Sequence, residues 1–261
     1  MNRAPTLAMS SAVRPAEGVQ SASGRPDDGF NAVARTRIKI CGLTREQDVD
    51  AAVEAGADAI GFVLYPPSPR YVTPVRAGEL ARRLPPFVTP VLLFVNADTS
   101  EIIAVTDHLA LGILQFHGDE SPEACAQVAN ASGWPWMRAA RIPREAATPF
   151  DLVKFASNYS QAQAILLDAH VDGFGGGGKT FNWSQLPPAV NAHLVLSGGL
   201  TPANVSEGIA QVRPRGRSLA VDVSSGVELD GPDGKPLKGI KDPEKIHRFV
   251  AAVRAADGLS A

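Results

Sequence analysis

The feature that most constrains the fold of this 261-residue chain is a repeated alternation of short apolar runs with helix-like segments. Eight runs have strand character, at residues 37–41, 59–64, 91–95, 113–116, 136–140, 164–167, 194–196 and 219–223. Four of the segments between them open with a capping residue followed by proline, at Thr73, Ser121, Thr201 and Asp242, and Thr44 opens another with a capping box. Strands separated by helices pair in parallel through right-handed crossovers. The pattern therefore predicts an α/β fold consisting of a single TIM-type (β/α)8 barrel, with an open doubly wound sheet as the alternative.

The first residues differ in composition from the rest of the chain. Half of residues 1–34 are serine, alanine, proline or glycine, and they show no sustained apolar periodicity. Such a stretch cannot bury enough surface to offset the entropy of ordering it. We therefore expect a disordered N-terminal extension over residues 1–35 and a barrel domain over residues 36–257. A transit peptide and a translation start at Met9 are alternatives for the extension.

The overall composition excludes several classes of protein. Lysine plus arginine number 25 and aspartate plus glutamate 27, so no strongly basic surface is available for nucleic acid. The longest apolar runs are far shorter than the ~20 residues of a membrane-spanning helix. Two cysteines are too few for a disulfide framework. We expect an intracellular protein without nucleic-acid or membrane partners.

Small residues that could hold a phosphate follow the last two strands. Gly198 and Gly199 come after strand seven, and Ser224, Ser225 and Gly226 come after strand eight. Glycine lets backbone N–H groups approach an anion closely, and loops after strands seven and eight often bind phosphate in this fold. Taken together they favour a phosphorylated ligand, although tight turns alone would also explain the glycines.

Cys41 is the first candidate for chemistry because it ends strand one, at the rim where barrel active sites lie. Strand alternation directs Ile38 and Ile40 toward the helices, so the Cys41 side chain should point into the barrel. A thiolate there could act as nucleophile or base. Lys39 is either the positive charge that stabilises the thiolate or the partner of Asp222 in a buried ion pair.

Four further residues complete the candidate site. Asp168 ends strand six after an apolar run, and a partly buried carboxyl can hold a proton and act as a general acid. Arg70, in a proline-rich loop, could bind a substrate carboxylate through paired hydrogen bonds. Lys179 follows a run of glycines that could form a lid over the ligand. His117 points inward on strand four and is either structural or part of the site. No spacing is typical of a zinc site, so we expect no metal.

As a set, these residues resemble the phosphoribosylanthranilate isomerase family of tryptophan biosynthesis. The resemblance covers roughly residues 37–255. It is carried by the motifs KICGLT (39–44), GADAIGF (56–62), SPRY (68–71), LQFHGDE (114–120), LLD (166–168), GGKTFNW (177–183), LSGGL (196–200) and VDVSSGVE (221–228). Asn182 stands where the family more usually has aspartate, and the segment 229–241 is longer and more polar than expected.

The resemblance implies a cofactor-free cytoplasmic isomerase that acts on a small phosphoribosyl substrate as a monomer or homodimer. The reaction would be the Amadori rearrangement of N-(5-phosphoribosyl)anthranilate to 1-(2-carboxyphenylamino)-1-deoxyribulose 5-phosphate. The matching positions imply that Asp168 is the general acid and Cys41 the general base, and that Arg70 binds the carboxylate of the anthranilate. Gly198, Gly199 and residues 224–226 fall in the phosphate-binding segments, and we expect His117 and Lys179 also to contact the substrate.

Two other functions are possible for such a chain. A pentose-phosphate epimerase would need a set of metal ligands that this sequence lacks. A catalytically inactive phosphosugar-binding protein would be expected to have lost Cys41 or Asp168, and both are present.

Overall fold

The computed structural model describes residues 35–143, 150–169 and 180–258. The predictions for Lys179, for the glycines before it and for the N-terminal extension lie outside these ranges. Eight parallel strands form a closed barrel, in the order β1 to β8. The strands are β1 (Arg37–Cys41), β2 (Ala59–Val63), β3 (Thr89–Phe94), β4 (Ile113–Phe116), β5 (Trp136–Ile142), β6 (Ala164–Ala169), β7 (His193–Leu196) and β8 (Ser218–Val223).

The pairing of the first and last strands closes the barrel. β1 lies parallel to β8, with Arg37 opposite Ala220 and Ile40 opposite Val223. This pairing confirms the predicted (β/α)8 barrel and excludes the open sheet, whose outer strands would have no such partners. The bounds of the strands differ from the predicted ones by at most two residues.

Helices follow the strands and cover the barrel. They are α1 (Glu46–Glu54), α2 (Pro74–Ala81), α3 (Thr99–Thr106), α4 (Pro122–Ser132), α5 (Leu152–Asn158), α6 (Val205–Val212) and α7 (Pro243–Ala256). Between β6 and β7 the described residues contain one short 3-10 helix, Trp183–Gln185, instead of an α-helix. Asn182 caps it by accepting a hydrogen bond from the Ser184 N–H, so the amide at this position serves as a cap.

Three of the predicted helix starts are confirmed. The side chains of Thr73, Ser121 and Asp242 each accept a hydrogen bond from a backbone N–H of the first turn, and proline follows each of them. Pro at the first helical position loses no hydrogen bond, which is why it is tolerated directly after the capping residue in these three helices.

The other two predicted starts are wrong. α1 begins at Glu46 rather than after a Thr44 cap, because the Thr44 hydroxyl donates to the carbonyl of Gly239, 2.8 Å away. α6 begins at Val205, several residues after Thr201. There the Asn204 side chain accepts a hydrogen bond from the Thr201 N–H and closes a turn ahead of the helix.

The apolar core has layers on both sides of the strands, as the alternation of side chains requires. Ile38, Ile40 and Phe62 belong to the large cluster between strands and helices. Val91, Met137, Ala139, Leu166 and Val195 form a separate cluster. Among the described residues, no helix is long and apolar enough to span a bilayer.

A β-hairpin follows β8 and accounts for the long polar segment 229–241. Its antiparallel strands are β9 (Glu228–Asp230) and β10 (Pro236–Lys241). Two of its charged residues, Glu228 and Lys241, are nevertheless completely or almost completely buried. The hairpin therefore contributes buried charges to the end of the barrel where β8 finishes.

Candidate active site

Cys41 lies at the end of β1 and is only 5% exposed. It belongs to a small cluster with Val63, Leu93 and Val95, separate from the helix-facing core that holds Ile38 and Ile40. The predicted direction of the Cys41 side chain, away from the helices, is therefore confirmed.

Lys39 connects Cys41 to β8. Its ammonium lies 2.8 Å from Asp222 Oδ1, and the other carboxylate oxygen of Asp222 accepts a hydrogen bond from Ser197. The buried ion pair with Asp222 is therefore present. Burial raises the pKa of the Cys41 thiol, and the nearby positive charge of Lys39 acts in the opposite direction. The structure thus shows the ion pair of Lys39 with Asp222, and it places the same positive charge close to the Cys41 thiol.

Gly61, on the neighbouring strand β2, gives the Cys41 side chain its space. Its Cα is so close that an added Cβ would lie 2.6 Å from Cys41 Sγ. Sequence reasoning did not single out Gly61. A glycine inside a buried strand was the available signal, because such a glycine often marks a close approach of other atoms.

Asp168 lies near the end of β6 and is 4% exposed. Its Oδ2 is 3.0 Å from His117 Nε2, and His117 Nδ1 is 2.9 Å from the side-chain nitrogen of Gln115. Both ring nitrogens of His117 therefore face protein groups, and the expected substrate contact of this residue stays a prediction. Gly198 has a φ of 78°, and an added Cβ would lie 2.9 Å from Asp168 Oδ1, so this position requires glycine.

The loops after β7 and β8 meet at a cavity of about 440 Å³. Gly226 approaches the Leu200 carbonyl so closely that a Cβ would lie 1.9 Å from its oxygen, so only glycine fits between the loops. Three predicted phosphate-binding residues line the cavity, together with Arg70. The full lining is Arg70, Gly199, Leu200, Thr201, Ser225, Gly226, Glu228, Lys235, Pro236 and Lys238.

Cys41 and Asp168 do not line this cavity themselves, but their neighbours connect them to it. Gly42, next to Cys41, approaches Arg70 and Ser224, and a Cβ there would lie 2.5 Å from Arg70 Cδ. Gly198 touches Asp168 and directly precedes Gly199 of the lining. The two candidate catalytic groups therefore lie next to residues at or beside the cavity.

Arg70 is held in place by Glu228, a residue that sequence reasoning missed. Arg70 Nε and Nη2 donate to the two carboxylate oxygens of Glu228 at 2.7 and 2.8 Å. Glu228 also accepts a hydrogen bond from the Gly239 N–H, and the Lys241 ammonium lies 3.3 Å away. Burial opposes ionisation of Glu228, but the hydrogen bonds from Arg70 and the charge of Lys241 outweigh it and lower its pKa.

Lys241 is the second buried charge that the sequence did not indicate. Its ammonium donates to the Ser224 carbonyl at 2.9 Å, in a loop predicted to bind phosphate. Burial lowers the pKa of Lys241 to about 8, despite the opposing charge of Glu228. The described residues contain no cluster of three or more histidine, cysteine or acidic side chains that could hold a metal ion.

Comparison with known proteins identifies the family. Residues 38–252 match the model of the N-(5'-phosphoribosyl)anthranilate (PRA) isomerase family. This chain belongs to that family. The phosphoribosylanthranilate isomerase of Methylibium petroleiphilum is 58% identical over 224 residues, which cover 85% of this chain and 96% of the relative. The isomerase of Leptothrix cholodnii is 56% identical over 227 residues, which cover 87% and 94%.

Solved structures of phosphoribosylanthranilate isomerases have the same fold. The Thermotoga maritima isomerase is 38% identical, with a TM-score of 0.68, and the match covers 84% of this chain and 99% of that one. Another isomerase structure, 36% identical with a TM-score of 0.66 over the same shares, contains reduced 1-(o-carboxyphenylamino)-1-deoxyribulose 5-phosphate. Monomeric forms of the dimeric Thermotoga maritima isomerase have also been solved. The family resemblance stated from the motifs is therefore confirmed, against the epimerase alternative.

Proposed function

We propose that this chain catalyses the Amadori rearrangement of N-(5-phosphoribosyl)anthranilate to 1-(2-carboxyphenylamino)-1-deoxyribulose 5-phosphate, a step of tryptophan biosynthesis. The observation that carries the proposal is the family match over residues 38–252, which includes both candidate catalytic residues. The acid is Asp168 and the base is Cys41. We further propose that the enzyme acts in the cytoplasm as a monomer or a homodimer.

The first step is opening of the ribose ring. Asp168 gives its proton to the ring oxygen, the bond from C1 to that oxygen breaks, and the nitrogen lone pair forms a Schiff base with C1. Asp168 is buried between His117 and Gly198, which restricts its carboxyl to one orientation. Fixed positioning of this kind accounts for much of the advantage of a general acid in an enzyme.

The second step is loss of the C2 proton. The Cys41 thiolate takes this proton, and the electrons of the C–H bond form a double bond between C1 and C2 as the positive nitrogen becomes neutral. The enolamine then becomes the ketone as C1 takes up a proton and the C2 hydroxyl gives one up, and the proton held by Cys41 returns to Asp168 through solvent before the next turnover. Lys39 supports this step because its positive charge offsets part of the rise that burial causes in the pKa of the Cys41 thiol. The substrate nitrogen receives the electrons, so the scheme needs no cofactor.

The remaining residues bind the two anionic ends of the substrate. In this proposal the carboxylate of the anthranilate binds Arg70. The phosphate binds Gly198, Gly199, Ser224, Ser225 and Gly226. This arrangement is supported by one cavity of about 440 Å³, which is lined by Arg70, Gly199, Ser225 and Gly226. Substrate contacts of His117 and Lys179 remain predictions.

The proposal is tested by the decay of substrate fluorescence on mixing with freshly made phosphoribosylanthranilate. Wild-type protein should accelerate the decay, and Cys41→Ser and Asp168→Asn should each lower kcat by roughly 100-fold or more while retaining affinity for the reduced product analogue. Decay at the spontaneous rate with wild-type protein would refute the proposal. Full activity of either variant would refute the role of that residue.

Two matched variants control for the loss of a buried group. Cys125→Ser changes the other buried cysteine, which lies on α4 in the helix-facing core. Asp257→Asn changes a buried carboxylate that binds Thr36 and Arg213. Both control variants should keep the wild-type kcat.

A further inference from the structure

Glu228 is a fully buried carboxylate that is paired with Arg70 and bonded to the hairpin. The side chain is fully buried, and it meets the guanidinium of Arg70 twice, the Gly239 N–H at 2.8 Å and the Lys241 ammonium at 3.3 Å. A buried carboxylate is costly unless it is paired and hydrogen-bonded. Glu228 satisfies that condition through the hairpin, which supplies both Gly239 and Lys241.

The pair leaves one part of Arg70 available to a ligand. Glu228 occupies Nε and one position of Nη2, whereas Nη1 has no hydrogen-bond partner among the described residues. Arg70 lines the cavity. A guanidinium can bind a second carboxylate through its Nη1 and Nη2 atoms, in a planar geometry that requires the group to be oriented correctly.

The charges around Arg70 add up to favour an anion. Arg70 and Glu228 alone would nearly cancel, but the buried Lys241 adds a positive charge beside them. Lys235 and Lys238 line the same cavity. The lysines therefore give the surroundings of Arg70 a net positive charge toward the ligand, although Glu228 is negative.

We propose that Glu228 is a positioning residue that sets the specificity of the enzyme for a substrate carboxylate. By fixing the Nε edge of Arg70, it directs the other edge of the guanidinium into the cavity. This inference rests on the proposed function, because it takes the carboxylate of the anthranilate as the ligand of Arg70. Glu228 acts through Arg70 and does not touch the substrate.

The experiment compares two ligands on the intact protein. One is the reduced product analogue, and the other is the same molecule without its carboxylate, so that their affinities report the preference for the carboxylate. Calorimetric titration of wild-type protein should show tighter binding of the carboxylated ligand. Glu228→Gln should weaken the carboxylated ligand about 10- to 100-fold and change the other ligand less than about 3-fold. In turnover, KM should rise and kcat should change little.

Two comparisons distinguish the positioning of Arg70 by Glu228 from a general loss of stability in the variant. In an Arg70→Ala background, Glu228→Gln should no longer alter the preference, because the effect acts through Arg70. Asp257→Asn removes a buried carboxylate from another arginine pair outside the cavity and should leave the preference unchanged. If Glu228→Gln does not fold, the double change Glu228→Gln and Lys241→Met removes the buried opposite charges together, and the same loss of preference is expected.

The results distinguish this inference from the proposed function. Equal weakening of both ligands, or an unchanged preference in Glu228→Gln, would overturn the role of Glu228 while leaving the isomerase activity standing. Wild-type protein that neither binds the carboxylated analogue nor consumes phosphoribosylanthranilate would instead overturn the proposed function.

Discussion

Adding one methyl group at Gly61 tests whether catalysis depends on the position of the Cys41 sulfur. An alanine Cβ at this position would lie 2.6 Å from Sγ and 3.1 Å from both Cα and Cβ of Cys41. An ordinary contact begins at 3.4 Å, so the sulfur or the strand must move by roughly 0.8 Å, and a misplacement of about this size can cost on the order of 100-fold in rate. The corresponding rise in the activation free energy is about 2.7 kcal/mol.

Stability should also decrease, but the two effects can be separated. Inserting a methyl group into a packed interior costs about 1–3 kcal/mol. In a domain of this size each kcal/mol lowers Tm by about 2–4 °C. Gly208→Ala is the matched control, because its Cβ would lie 2.7 Å from the end of the Leu196 side chain, in the helix-facing core.

The assay is kcat from the decay of substrate fluorescence, measured well below the Tm of each variant. We expect Gly61→Ala to lose about 100-fold in kcat and Gly208→Ala to stay near the wild-type value. If Gly61→Ala folds and turns over at the wild-type rate, the Cys41 sulfur does not need its observed position, and the argument for Cys41 as the base fails.

Three other predictions concern the charges and the domain limits. Protonated Lys241 attracts an anionic ligand, so the affinity for the reduced product analogue should fall as the pH rises through about 8, the pKa of Lys241. Calorimetric titrations should show that Lys241→Met removes this pH dependence. If the pH dependence persists in the variant, it belongs to another group. Asp257→Asn should lower the free energy of unfolding by about 1–3 kcal/mol in urea titrations, because its buried bonds to Thr36 are weakened; an unchanged midpoint would contradict this. Removing residues 1–34 should leave Tm and kcat unchanged, since their composition predicts no packed core, and a large loss of either would show that they contribute to the fold.

Local signals explain why the barrel could be predicted from sequence. Apolar runs marked all eight strands, and the combination of a capping residue with proline marked the starts of α2, α4 and α7. Alternation along β1 separated Ile38 and Ile40 from Cys41, and the structure confirms that separation. The prediction that Thr44 caps α1 was wrong because the Thr44 hydroxyl donates to the Gly239 carbonyl. Gly239 is distant in sequence and therefore gives no local signal.

The parts of the site that escaped prediction depend on contacts across long stretches of chain. Glu228 and Arg70 are 158 residues apart in the sequence, and no local pattern around either residue predicts their ion pair. Lys241 ends a segment noted in the sequence only for its length and polarity, but the hairpin brings its ammonium to the Ser224 carbonyl. Gly61 differs from these residues, because a glycine inside a buried strand is a local signal that the sequence does contain.

The central claim is that one phosphosugar lies between the thiol of Cys41 and the carboxyl of Asp168, and a crystal structure with the reduced product analogue tests it most directly. We predict Cys41 Sγ within about 3.5 Å of C2 and an Asp168 oxygen within about 3.2 Å of the hydroxyl derived from the ring oxygen. The phosphate should lie against Gly199 and Ser225. An analogue bound with its C2 out of reach of the sulfur, or away from the ends of β1 and β6, would contradict the account.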